Sequence, residues 1–152
     1  MMSHINLYDA ENVADLLKGV YPVMISQYDY GEPLPTATDR VMKEYIYVSP
    51  SKDRKNIFQQ ALTILLNGSA ADVFLAAEYF DCCLYFESKG TASFNIDKEI
   101  FVPLIRQGIR KHEPELKKGI TFVDGTVNKY PMERLNILNS SMNNKYGFSI
   151  ID

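Results

Sequence analysis

The chain has 152 residues, which suits a single domain that buries roughly two thirds of the surface its unfolded state exposes. Its 46% hydrophobic and 23% charged residues are ordinary for a globular protein and exclude a chain that is disordered throughout. The net charge of −3 argues against nucleic-acid binding. Because no apolar run is long enough to span a bilayer and no secretory leader is visible, we expect a cytoplasmic protein that does not enter a membrane.

The charges are unevenly distributed along the chain. Five acidic residues lie between Met1 and Pro35 against the single Lys18. Between Arg40 and Lys55 the balance reverses, with five basic residues against two acidic ones. This pattern predicts one acidic and one basic patch on the surface.

The first third of the chain predicts short elements separated by a long connection. Apolar residues at helical spacing, ending at a glycine, predict a helix over Ala10–Lys18. Val23–Tyr30 is typical of a strand or an extended loop, and the two prolines that follow exclude a helix through Pro35. Helical spacing predicts a helix over residues 38–48, although its last four residues also have strong strand propensity.

Two helices in close succession are predicted next. Ser49-Pro50 is typical of a helix start, and an apolar stripe continues to Leu66 before Gly68 ends this helix. The stripe comprises Ile57, Phe58, Ala61, Leu62, Leu65 and Leu66. Because so few residues separate this helix from the next, we expect an antiparallel helical hairpin.

The segment from Ser69 to Ser88 is the predicted centre of the fold. Ser69 and Asp72 have the spacing of a capping box, and Gly90 is a suitable terminator. The helix between them is apolar on nearly every side, so it must be covered on several faces. Glu78, Asp81 and Tyr85 follow one another at spacings of three and four residues and share the wetter strip.

The remaining residues predict two more helices, a small hairpin and a docked tail. Asp97 caps a helix whose predicted inner face comprises Ile100, Phe101, Leu104, Ile105, Gly108 and Ile109. Pro103 either lies in the first turn of a helix that starts near Val102 or interrupts a longer one. Glu113-Pro114 ends or restarts this helix, and residues 120–123, Asp124-Gly125 and residues 126–130 resemble a β-hairpin.

A last helix opens at Pro131, with Met132, Leu135 and Leu138 on one side and Ile137 nearby. Residues 139–147 are polar and favour turns, and three later apolar residues, Phe148, Ile150 and Ile151, are expected to dock on the body. The predicted fold class is therefore mostly α: an antiparallel helical hairpin or bundle, or a short α-solenoid, with a small β-hairpin.

No catalytic or metal-binding motif is present in the sequence. His4 and His112 lack partners at metal-ligand spacing, and no phosphate-binding loop or serine elbow occurs. Cys82 and Cys83 are adjacent on the central helix, where a mutual disulfide would be strained, so we expect reduced core thiols rather than a redox sensor. These observations predict a non-enzymatic protein without a cofactor.

Recognition of a protein partner is the function that the remaining residues favour. Tyr28, Asp29, Tyr30 and Glu32 combine aromatic rings with carboxylates in a connection that cannot be helical past Gly31. Tyrosine offers a large contact area at low entropic cost, and neighbouring acids attract a basic surface. Tyrosines packed inward are the alternative. Glu78 and Asp81 are the second candidate contact, and a solvated helix face is the alternative for them.

The acidic N-terminal part, the tyrosine-rich loop and the helical pair from Ile57 to Phe86 resemble small bacterial immunity proteins. The most specific segment is Asn67–Tyr79, a junction between two helices. The resemblance implies an inhibitor that occludes the active site of a cognate toxin, with a basic protein such as a toxin domain as its partner. A helical scaffold or adaptor that binds a peptide or protein is the rival interpretation, and it predicts an apolar binding face.

Overall fold

The computed structural model describes Gln59 and residues 62–88, 90, 96–122, 125 and 127–152. In chain order these residues form helix α1, described over 62–66, helices α2 (Ala70–Ser88), α3 (Lys98–Lys111) and α4 (Glu113–Lys118), strands β1 (Ile120–Thr121) and β2 (Val127–Asn128), and helix α5 (Pro131–Tyr146). This part of the chain is mostly helical with one two-stranded antiparallel sheet, which confirms the predicted fold class. The elements predicted before residue 59 lie outside the described residues.

Helix α2 is the centre of the core, as its apolar sequence predicts. Every residue from Val73 to Phe80 is at most 1% exposed. Eight consecutive residues span more than two helical turns, so this stretch is covered on all sides rather than along one stripe. The covering elements include α3, α4, α5 and β1.

The predicted capping box starts α2. The Ser69 backbone N–H donates to Asp72 Oδ2 at 3.2 Å, and the Asp72 N–H donates to Ser69 Oγ at 3.3 Å. These two bonds satisfy amides that the first helical turn leaves without partners. An added Cβ at Gly68 would lie 2.2 Å from Asp72 Oδ2, so the residue before the cap must be glycine for the carboxylate to turn back. Gly90 follows the helix at φ +70°, as predicted for a terminator.

Helix α3 begins at Lys98 after the Asp97 cap, whose carboxylate accepts from the Glu99 N–H at 3.0 Å. Pro103 therefore lies inside the helix, and the prediction of a later start near Val102 is wrong. Proline removes the N–H that would bond the Glu99 carbonyl. Because Pro103 and Glu99 are both exposed, water can reach the free carbonyl.

The predicted inner face of α3 is partly wrong. Ile100 and Leu104 are 54% and 37% exposed, whereas Val102 is buried together with Phe101, Ile105, Gly108 and Ile109. The physical reason is that the buried residues centre on Ile105, and at roughly 100° per residue Leu104 and Ile100 fall to one side of that centre. Helix α2 approaches the buried face closely at Gly108, where an added Cβ would lie 3.0 Å from Val73 Cγ1.

The residues after α3 form a short helix and the predicted hairpin. Pro114 lies at the start of α4, which buries Leu116 and ends at Gly119. Strands β1 and β2 pair antiparallel, with Ile120 opposite Asn128 and Thr121 opposite Val127. Gly125 adopts φ +90° in the connection between them. The hairpin prediction is confirmed.

Helix α5 is longer than predicted. Residues 139–146 are helical instead of forming turns, and the helix ends at Gly147 with φ +77°. The polar residues of this stretch occupy outer positions, while Met142 is fully buried. The expectation of a docked tail is confirmed, because Ile150 is fully buried and Phe148 and Ile151 pack against the core.

The contact between Gly108 and Val73 predicts a specific mutational response. Gly108→Ala should lower the free energy of unfolding by about 1–3 kcal/mol, because overpacking outweighs the gain of about 1 kcal/mol in helix propensity. Adding Val73→Ala should recover part of this loss, since it removes the opposing methyl groups. Gln107→Ala, on the exposed side of the same helix, is the control and should change stability by less than about 0.5 kcal/mol. Urea unfolding followed by circular dichroism measures the wild type and the three variants. A Gly108→Ala variant as stable as the wild type would contradict the close contact between α2 and α3.

Candidate functional site

A buried ion pair joins α2 to α5. Glu78 is 1% exposed, and its carboxylate accepts three hydrogen bonds from the Arg134 guanidinium, at 2.9, 3.1 and 3.2 Å. A carboxylate removed from water is tolerated only when it is paired and hydrogen-bonded. The pair therefore places the first turn of α5 beside the middle of α2.

The prediction that Glu78 lies on a wetter strip is wrong. Periodicity correctly groups Glu78 with Asp81 and Tyr85, but this strip faces α5 rather than solvent at the level of Glu78. The Glu78 carboxylate is bound by Arg134, a residue that the sequence did not indicate as functional. A contact between Glu78 and a partner remains only a prediction, and its observed contacts assign it to holding two helices together.

Asp81 lies one turn after Glu78 and is half-buried. Burial raises its pKa from 3.8 to about 6, and the negative charge of Glu78 adds to this increase, while Arg134 and Lys145 oppose it. The Asp81 carboxyl is thus partly shielded from water and lies near the Glu78 carboxylate. A further cation brought close to Asp81 would oppose the repulsion between the two carboxylates.

Tyr85 and Tyr146 continue the strip toward the end of α2. Lys145 Nζ lies 6.0 Å from the centre of the Tyr85 ring, and Lys98 Nζ lies 5.5 Å from that of Tyr146. Burial raises the pKa of the Tyr146 hydroxyl, the nearby Asp81 and Glu87 raise it further, and a hydrogen bond with Ser88 lowers it. These interactions bring the ends of α2 and α5 together.

The tail residue Phe148 completes the surface. Its ring stacks on Tyr146 with centroids 5.9 Å apart and lies 6.0 Å from the ring of Phe80 in the core. We call Asp81, Tyr85, Glu87, Tyr146 and Phe148 the acidic–aromatic patch; all five are partly exposed. The sequence predicts only Asp81 and Tyr85 as neighbours, since residues 139–147 were expected to form turns. A terminator glycine after Lys145-Tyr146 was the available signal for a longer helix.

The other described residues show little that suggests catalysis or metal binding. His112 lies between α3 and α4, with Nδ1 4.0 Å from Glu115 Oε2. Among the described residues, no three His, Cys, Asp or Glu side chains lie close enough to hold a metal ion. None of the described helices is both long and apolar enough to cross a membrane. The Cys83 side chain is fully buried.

Comparison with protein-family models, with curated proteins and with solved structures found no match. The likeness to immunity proteins therefore rests on the residues of this chain alone. Tyr28, Asp29, Tyr30 and Glu32, the first predicted contact, lie outside the described residues, and their role remains a prediction.

Removing only one partner of the ion pair between Glu78 and Arg134 should destabilise the fold. Arg134→Met should lower the free energy of unfolding by about 2–4 kcal/mol, because Glu78 is left charged and buried without its cation. The double variant Glu78→Leu with Arg134→Met should be more stable than the single one. Urea unfolding at neutral pH measures both.

An exposed ion pair is the matched control for this experiment. Lys117 Nζ lies 2.7 Å from Glu113 Oε1, and the two side chains are 63% and 45% exposed. Lys117→Met should cost less than about 0.5 kcal/mol. A similar loss for Arg134→Met and Lys117→Met would rule out a special role of the buried pair.

The raised pKa of Asp81 predicts the sign of a pH dependence. Between pH 3.8 and about 6 the folded state holds the proton that the unfolded state releases, so this group stabilises the fold less as the pH rises. Asp81→Asn removes the cost of a buried negative charge at this position. Its free energy of unfolding should exceed that of the wild type by up to about 3 kcal/mol at pH 7.5, and the two should be equal below pH 4. Unfolding measured across this range checks the difference, and Glu133→Gln, an exposed change in α5, should show no such trend.

Proposed function

We propose that the protein is a cytoplasmic protein-binding inhibitor of the immunity type, which covers the active site of a basic toxin domain. The observation that carries this proposal is the acidic–aromatic patch. Two tyrosines and a phenylalanine offer contact area. Beside Lys98 and Lys145, whose ammonium groups lie over the two tyrosine rings, Asp81 and Glu87 offer negative charge to a basic surface. Tyr28, Asp29, Tyr30 and Glu32 are the second proposed contact, on the sequence pattern alone.

The contacts behind the patch support this role. Phe148 is held between Tyr146 and the core residue Phe80, so the aromatic surface is ordered before a partner arrives. The buried pair of Glu78 and Arg134 fixes α5 against α2. Side chains ordered in advance lose less entropy on binding, which leaves more of the contact energy for affinity.

The proposed mechanism is occlusion of the toxin's cleft. Lysine or arginine side chains that bind the toxin's own anionic substrate would bind Asp81 and Glu87 instead. A cation beside Asp81 would lower the pKa of its carboxyl and release the proton it holds near pH 6. Binding should therefore be tighter at pH 7.5 than at pH 5.5, and weaker at high salt.

Calorimetric titration with the product of the neighbouring gene tests the proposal, which expects that product to contain a basic toxin-like domain. Asp81→Lys and Glu87→Lys should each weaken binding by about tenfold or more, because each brings a positive charge against a basic partner. Asp29→Lys tests the second contact in the same way. Glu115→Lys makes the same charge change on α4, outside the patch, and should stay within about threefold of the wild type.

Equal affinity of the wild type and both patch variants, at low and high salt, would rule out the patch as the interface. Circular dichroism of each variant separates a lost contact from a lost fold. A toxin domain that the wild-type chain neither binds nor inhibits would overturn the inhibitor role itself.

A peptide-binding scaffold is the second candidate, and one observation favours it. A cavity of about 190 Å³ lies between α1 and α3, lined by residues that include Leu66, Leu104 and Lys111. Ile64 and Ile100, on the same two helices, are 37% and 54% exposed. Binding through the leucine and isoleucine side chains of this groove, whose lining also includes polar residues, should depend less on salt than binding through the patch.

A further inference from the structure

Phe148 reaches the acidic–aromatic patch from the segment after α5, and contacts fix the residues on either side of it. Before it, Gly147 ends α5 at φ +77°, and its N–H donates to the Asn143 carbonyl at 3.0 Å. After it, the segment Ser149–Asp152, which we call the tail, is contacted from both α3 and α5. Phe148 thus belongs to an irregular stretch that is anchored at both ends.

One side chain of α5 fixes two backbone groups of the tail. Asn139 Oδ1 accepts hydrogen bonds from the Ile150 N–H at 2.7 Å and from the Ile151 N–H at 3.2 Å. Both bonds are partly buried, so water competes with them less than it would at the surface. Because hydrogen bonds are directional, two bonds to consecutive amides set the path of the backbone as well as its position.

Helix α3 holds the first residue of the tail. The Arg106 guanidinium donates to the Ser149 carbonyl, and its Nε lies 3.3 Å from Asp152 Oδ1. Arg110, one turn later, pairs with Asp152 Oδ2, but these two side chains are 61% and 52% exposed. An exposed ion pair stabilises little, so the partly buried bond from Arg106 to Ser149 contributes more to the anchoring.

The buried side chain of the tail and its hydrogen bonds have different effects. Ile150 is fully buried, which secures the tail to the core. Phe148 stays partly exposed, with its ring centroid 5.9 Å from that of Tyr146 and 6.0 Å from that of Phe80. The hydrogen bonds fix the backbone directly after Phe148, and they therefore determine where its ring lies on the patch.

We propose that Asn139 and Arg106 are positioning residues of the acidic–aromatic patch, which hold the tail so that Phe148 and Tyr146 are presented to the partner together. This inference rests on the proposed inhibitor function, which supplies the partner. A tail released from these contacts would have to be ordered again on binding, and that ordering would lower the affinity. Neither Asn139 nor Arg106 belongs to the patch, so their effect on binding passes through Phe148.

The ordering of Phe148 can be measured without a partner. The chain contains no tryptophan, so Phe148→Trp introduces a single fluorescent reporter into the full-length protein. On this background Asn139→Ala should increase quenching by acrylamide and shift the emission to longer wavelength, because the ring becomes more accessible to water. Asn139→Asp keeps an acceptor oxygen for the two amides and should restore most of the protection. Equal quenching with and without Asn139→Ala would overturn the inference.

Two further variants support this measurement. Asn136→Ala makes the same change at an exposed position one turn earlier on α5, and it should leave the fluorescence of the reporter unchanged. Arg106→Ala releases the tail from α3 instead of α5 and should increase quenching as Asn139→Ala does. Circular dichroism of each variant separates a released tail from a lost fold.

Binding then shows whether this ordering matters to the partner. In calorimetric titration with the product of the neighbouring gene, Asn139→Ala should weaken binding about three- to tenfold, which corresponds to the ordering of one or two side chains. On a Phe148→Ala background, adding Asn139→Ala should have no further effect, because the residue that it positions is already absent. Asn136→Ala should bind as the wild type does.

The outcomes separate this inference from the inhibitor role. Equal binding of that gene product by the wild type and Asn139→Ala would overturn the inference and leave the inhibitor role standing. An effect of Asn139→Ala that is as large without Phe148 as with it would also overturn the inference, since the contacts would then act on the fold and not on the patch. A wild-type chain that does not bind the product would overturn the inhibitor role and this inference with it.

Discussion

The structure depends on the burial of α2 on every side. A helix whose middle two turns are closed to solvent needs neighbours all around it, so the other elements are arranged by what α2 must hide. The one carboxylate in this stretch, Glu78, could be buried only if a cation came with it. Arg134 meets that need, and its position on α5 determines where the last helix lies. The close approach of α2 and α3 at Gly108 likewise limits where α3 can lie.

The charged contacts between α2 and α5 change in character along the helices. Near the middle of α2, the buried Glu78 carboxylate is bound by the Arg134 guanidinium, whose side chain is 30% exposed, and this pair stabilises the fold. One turn later Asp81 is half-buried, and its raised pKa shows that this place suits a charge poorly without further help. At the end of the helix, tyrosines and an acid reach the surface beside Lys98 and Lys145. The proposed interface lies at this end because charged and aromatic groups are partly exposed there.

Much of the secondary structure could be predicted because its causes are local. The reciprocal bonds of Ser69 and Asp72, the Asp97 cap and the hairpin around Gly125 each depend on residues a few positions apart. The errors have a common origin in contacts between distant segments. Which arc of α3 is buried depends on its packing against α2, and residues 139–146 are helical with Met142 fully buried in the core. Polar residues on the exposed side of a helix resemble a turn sequence when the buried contacts of that helix are not known.

Hydrophobic periodicity and helix caps act within a few residues, so they predict a mostly helical protein with its most apolar helix at the centre. Helical spacing also places Asp81 and Tyr85 on one strip. Spacing cannot predict that Glu78 is buried while Asp81 stays partly exposed, because that depends on Arg134, 56 positions away in the chain. Only the tertiary structure brought Tyr146 and Phe148 to the same surface and placed Asp152 between two arginines, because packing and charge pairing act between segments that are remote in the chain.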